Sequence, residues 1–98
     1  DQRDEPDLSA QDDGTIIAEA RVLIGDLEEL TGVFVTEEER EEIDTIGGLV
    51  FALAGRVPIR GELISHPSAI EFEVLDADPR RIKRLRVRQA KRAEKATR

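Results

Sequence analysis

Apolar residues recur along this chain with two different periods, and the change of period marks out the elements. From Thr15 to Val22 they alternate, with Ile16, Ala18, Ala20 and Val22 on one face and Thr15, Ile17, Glu19 and Arg21 on the other. A period of two predicts a half-buried strand. Between Ile46 and Ala54 the spacing lengthens. Ile46, Leu49, Val50 and Leu53 fall at i, i+3, i+4 and i+7, while Phe51, Ala52 and Ala54 widen the stripe. That pattern predicts a largely buried helix. Period two returns at Ile70, Phe72 and Val74, interleaved with Glu71 and Glu73, so a strand over 70–76 should have one wet face. Strands over 62–65 and 81–88 complete a meander, with turns at His66-Pro67-Ser68 and Asp78-Pro79. In the last strand Ile82 is out of phase with Leu85 and Val87, and a β-bulge near Lys83-Arg84 would restore the phase.

Polar and special residues set the ends of these elements. Asp44 or Thr45 can cap the central helix, Gly55 stands where a helix ends in a left-handed residue, and Pro58 bars continuation. Asp26 reads as the N-cap of a shorter helix carrying Leu27 and Leu30, with Glu28 and Glu29 at its positive end and Gly32 as its stop. Val33 to Val35 reads as a brief extended piece. Thr36 to Asp44, TEEEREEID, reads as a solvated loop or helical turn in which Thr36 and Glu39 form a capping box. Gly47 and Gly48, in the first turn of the central helix, each cost roughly 1 kcal/mol relative to alanine. Close packing of the helix start against a strand would compensate. The alternative is an anion on free helix amides, which the acidic approach through Glu37 to Glu42 opposes.

These elements predict an α+β fold, a four-stranded mainly antiparallel sheet with two helices packed on one face, over residues 13–88. Residues 1–12 hold too little apolar surface to order themselves and read as an acidic linker. Residues 89–98 have no apolar stripe and read as a basic flexible tail.

Composition narrows the function more than the fold. The 98 residues make one domain. With no cysteine there is no disulfide framework, thiolate nucleophile or zinc-thiolate cluster. The lack of methionine and of a signal peptide suggests a piece of a longer polypeptide. The run of small or apolar residues from Gly47 to Gly55 is far short of the roughly 20 needed to cross a bilayer, so no membrane insertion is expected of this stretch. The net charge of −7 conceals a split: five Arg oppose 21 Asp and Glu in residues 1–79, while ten Lys and Arg oppose one Glu in residues 80–98. A nucleic-acid-binding module using the basic last strand and tail is therefore the rival reading. It lacks a recognition-helix pattern, and Phe34, Phe51 and Phe72 are the only aromatic side chains available for stacking.

Candidate catalytic groups are few. His66, the single histidine, is expected to be an ordinary exposed turn residue. Ser9, Ser65 and Ser68 lack a nucleophile-elbow context, and no glycine-rich phosphate loop is present. Consecutive glutamates in Thr36 to Asp44 point in different directions, which argues against a hard-cation site, with a weak cation site as the alternative. No enzyme activity, cofactor or metal is expected.

The run Asp44-Thr45-Ile46-Gly47-Gly48-Leu49-Val50, followed by Leu53, Gly55-Arg56-Val57-Pro58 and Gly61-Glu62, resembles the signature of the transporter-associated domain of the CorC/HlyC family. Two departures are mild: Ala20-Arg21 replaces a common Gly-Arg pair, and Ala77-Asp78-Pro79 replaces a glycine-containing turn. The resemblance implies a non-enzymatic accessory domain on the cytoplasmic side of a membrane protein linked to magnesium and cobalt efflux. It implies as partners the paired CBS domains and the membrane domain of that protein, or a second copy in a homodimer. The family's sheet is similar to part of a flavin-binding fold, but the absence of Trp and Tyr argues against a flavin here. The signature residues Asp44, Thr45, Gly47, Gly48, Gly55, Arg56, Pro58 and Gly61 read as specifying the fold, with the functional surface elsewhere.

Overall fold

A computed structural model describes residues 6–89. The elements are β1 (Leu8–Ala10), β2 (Ile16–Glu19), α1 (Ile24–Thr31), α2 (Glu37–Glu42), α3 (Ile46–Ala54), β3 (Leu63–Ser65), β4 (Ile70–Asp78) and β5 (Arg81–Gln89). The fold is α+β, and every pairing in the sheet, ordered β1-β2-β5-β4-β3, is antiparallel. The four strands and two helices read from the sequence become, among the described residues, five strands and three helices. The extra strand, β1, falls in the stretch read as linker. Burial alone would not hold it, but its ladder to β2 and a tight Gln11–Gly14 turn do, with the Glu19 N–H reaching the Asp7 carbonyl at 3.0 Å. The extra helix is α2. It buries none of its own residues and is held by its caps, the Arg40–Glu28 ion pair and the Glu39–His66 hydrogen bond.

All three helices lie in the connection between β2 and β3, which are separated in the sheet by β5 and β4. The rows Ile16–Val87–Phe72 and Ala18–Leu85–Val74 cross the inner face. Ile24 and Leu27 of α1 and Ile46, Leu49 and Val50 of α3 complete the core. Each such buried side chain larger than alanine stabilises by about 1.5–3 kcal/mol.

Phase is corrected twice. Leu75 on β4 and Lys83 on β5 each lack a pairing partner between the Val74–Leu85 and Ala77–Ile82 pairs. The bulge at Lys83 lies where the sequence placed one, and it brings Ile82 to the core side with Leu85 and Val87. The bulge at Leu75 had no sequence signal, because β4 alternates correctly through Val74.

Two local expectations fail. The first helix begins at Ile24, not after Asp26, and its N-cap is Leu23 with no side-chain hydrogen bond. Its start is set by the neighbouring segment: Leu23 bridges to Thr45, and the Ile24 N–H donates to the Asp44 carbonyl at 2.9 Å. Val33 to Val35 forms no strand, because the N–H groups of Phe34 and Val35 both donate to the Glu28 carboxylate.

Candidate functional site

The start of α3 gathers most of the residues that the sequence singled out. Thr45, not the Asp44 side chain, caps the helix, its Oγ accepting the Gly48 N–H at 3.0 Å. The Ile46 N–H donates to the Val22 carbonyl, Gly47 to Ala20 and Leu49 to Thr45, all within 3.0 Å. The first four amides are thus engaged, and the anion alternative loses its donors. Gly47 sits where a Cβ would stand 2.7 Å from the Ala20 Cβ and 2.9 Å from its carbonyl oxygen. The compensation for a glycine in this turn is contact with the chain just beyond β2. Gly48 is less crowded, with Thr45 Oγ1 and Ile43 Cγ2 at 3.2 and 3.3 Å from the same construction.

The loop after α3 is fastened by its own charges. Gly55 closes the helix in the left-handed region, with φ of 77°, and Pro58 is fully buried. Arg56 grips Glu62 through both guanidinium nitrogens, the Nη1 contact measuring 2.9 Å, and the Ile59 N–H donates to the same carboxylate. The Arg56 hydrogen bonds, aided by the Ile59 amide, lower the Glu62 pKa to about 2. Gly61, with φ of 91°, donates its N–H to the Val74 carbonyl and so docks the loop on β4.

A second polar cluster escaped the sequence reading. His66 is not an exposed turn residue: it is 4% exposed, in edge-to-face contact with Phe34. The Ser68 N–H points at His66 Nδ1, which assigns the ring proton to Nε2, and Nε2 lies 3.0 Å from Glu39 Oε1. Glu39 also closes the Thr36 capping box. Beside it Arg40 grips Glu28, whose carboxylate is 6% exposed and also accepts the Phe34 and Val35 amides. Hydrogen bonds hold the pKa of both glutamates below the ordinary carboxylate value, led by Arg40 at Glu28 and by the Thr36 amide at Glu39. Glu28 could have been found, since it stands with Ile24 and Leu27 at i, i+3 and i+4. His66 left no periodic trace.

The outer face of the sheet carries the strand charges in pairs. Arg86 meets Glu73 at 3.2 Å and Arg88 meets Glu71 at 3.7 Å, while Lys83 and Arg84 face Asp78 and Asp7. Four of the six cations in the described part of the basic region, residues 80–89, are thus balanced by acids. The rest of the tail, 90–98, lies outside the described residues. Among the described residues no cluster of three or more His, Asp or Glu could hold a metal ion.

Comparison with known proteins adds the family. The family model described as the transporter associated domain, CorC_HlyC, matches residues 9–91. This chain belongs to that family. The match takes in the α3 cap, the glycine contact and the clamped loop together. A Rickettsia bellii (strain OSU 85-389) protein named "Possible hemolysin C" is 41% identical over 88 residues, covering 89% of this chain and 29% of its own length. The chain thus spans less than a third of that relative. A Neisseria meningitidis MC58 structure, described as a region associated with an Mg2+ and Co2+ transporter (CorC), is 31% identical with a TM-score of 0.73. It covers 85% of this chain and 98% of its own. The transporter associated domain of a CBS domain protein from Porphyromonas gingivalis shares the fold at 22% identity, with a TM-score of 0.69, covering 86% and 98%.

Proposed function

We infer that this chain is a non-enzymatic regulatory domain of a membrane protein that moves divalent cations, magnesium or cobalt, outward across a membrane. The family match over residues 9–91 carries the reading, with the Mg2+ and Co2+ transporter described for the Neisseria neighbour supplying the cation. No described helix is long and apolar enough to cross a membrane, so in this reading the membrane part lies elsewhere in a longer protein. The domain sits on the cytoplasmic side and acts through contacts with CBS domains, the membrane domain or a second copy; the Porphyromonas neighbour, a domain of a CBS domain protein, supports the first of these. Asp44, Thr45, Gly47, Gly48, Gly55, Arg56, Pro58 and Gly61 then serve by building the scaffold that presents those contacts.

The test is excision of residues 9–91 from the full-length protein, followed by cobalt tolerance and magnesium efflux measured in cells. Altered efflux, or efflux no longer responsive to cation level, is the expected result. Unchanged efflux with unchanged regulation would refute the reading.

A further inference from the structure

Where the β4–β5 hairpin turn approaches the first turn of α3, the surface opens into a cleft of about 300 Å³. Its apolar lining comes from Ala20, Gly47, Phe51, Val57 and Ile82. Phe51 is half exposed, although Ile46, Leu49 and Val50 of the same helix are buried. The volume is at the lower end for ligand sites and suits one large side chain better than a nucleotide.

Arg80 and Arg81 stand at the rim. Residues 6–89 hold ten Lys and Arg against eighteen Asp and Glu, so a cation there has acids to choose from. Seven of the ten have a carboxylate within 4 Å; among the described residues only Arg60, Arg80 and Arg81 do not. Two of those three border this cleft. Asp78, the nearest acid in sequence, is already engaged: its Oδ1 accepts the backbone amides of Arg80 and Arg81, and its Oδ2 faces Lys83. Arg21, also at the rim, pairs with Glu19. The helix amides of α3 take no part, since all are bonded internally.

We propose that this cleft docks an acidic peptide segment of a partner protein. One leucine-sized side chain enters against Phe51, and flanking carboxylates meet Arg80 and Arg81. Apolar burial supplies the anchor, and the two guanidinium groups select the sign of the flanks. The inference does not depend on the cation-transport reading, because it rests on the cleft and its unpaired arginines alone.

A blocked five-residue peptide with a central leucine between paired glutamates is the probe, titrated into the 98-residue chain and followed by amide NMR shifts. Expected are saturable shifts at Ala20, Gly47, Gly48, Phe51 and Arg80 to Ile82. Affinity should fall at least tenfold when the flanks are lysines, when the central residue is alanine, or in the double variant Arg80→Glu/Arg81→Glu. That variant alters two exposed residues, Arg80 in the hairpin turn and Arg81 at the start of β5, and its unchanged spectrum outside the cleft verifies the fold. Salt near 1 M, with a Debye length of about 3 Å, should weaken binding further. Absence of saturable shifts, equal binding of the lysine or alanine peptide, full affinity in the folded double variant, or shifts that map to another surface would each overturn the proposal.

Discussion

At the scale of single residues, the two kinds of glycine in the helices should respond oppositely to alanine. Gly47→Ala gains about 1 kcal/mol of helix propensity but drives a Cβ to 2.7 Å from Ala20, where neighbouring backbone must move. A net loss of about 1–3 kcal/mol is expected, read as a lower urea midpoint. Gly25→Ala, in α1 with nothing within 4 Å, should gain a few tenths to about 1 kcal/mol of stability, read as a higher midpoint. Glu28 is a harsher case. Glu28→Ala strips the buried Val35 amide of its acceptor and leaves Arg40 unpaired, which should cost about 2–4 kcal/mol in the same measurement. Acid titration follows from the carboxylates. Glu28, Glu39 and Glu62 have folded-state pKa values below the 4.5 of the free group, Glu62 at about 2. Their contribution is complete above 4.5 and is lost as pH falls through the folded values, so stability should decline between about pH 4.5 and 2. The decline should be shallower in Glu62→Gln. The cap at Thr45 and the stop at Gly55 were legible because each acts on its own neighbours. The Glu39–His66 pair was not: its partners are 27 positions apart, and neither strand alternation nor helical spacing carries that information.

Among the elements, α2 is the least secured by packing. It has six residues, none buried, and a helix that short is not stable alone. Its attachments are the Glu39–His66 contact to the β3–β4 turn and the Arg40–Glu28 pair to α1. Hydrogen exchange should therefore find its amides opening first among the three helices, and Glu39→Ala should accelerate them while α3 stays protected. The sequence showed the capping box of α2 but not its tether, so the segment read equally well as loop or turn. The same division holds for β1. Its three residues carry little apolar signal, and only the partner strand β2, invisible to a local pattern, makes them a strand. Elements with a buried face announced themselves. Of those without one, β3 was still legible from its place in the meander, while β1 and α2 were not.

At the scale of the molecule, the two faces of the sheet divide the work, one burying its rows under α1 and α3 and the other balancing Glu71 and Glu73 against Arg86 and Arg88. The rims of the sheet differ from its middle. β1 and β3, which form the two borders, have three residues each, whereas β4 and β5 inside have nine. A foreign strand laid along either border strand finds only three residues to pair with, a short template for sheet to grow upon sheet. Copies crowded together in a cell would thus be kept from fusing into fibrils by the brevity of their outermost strands.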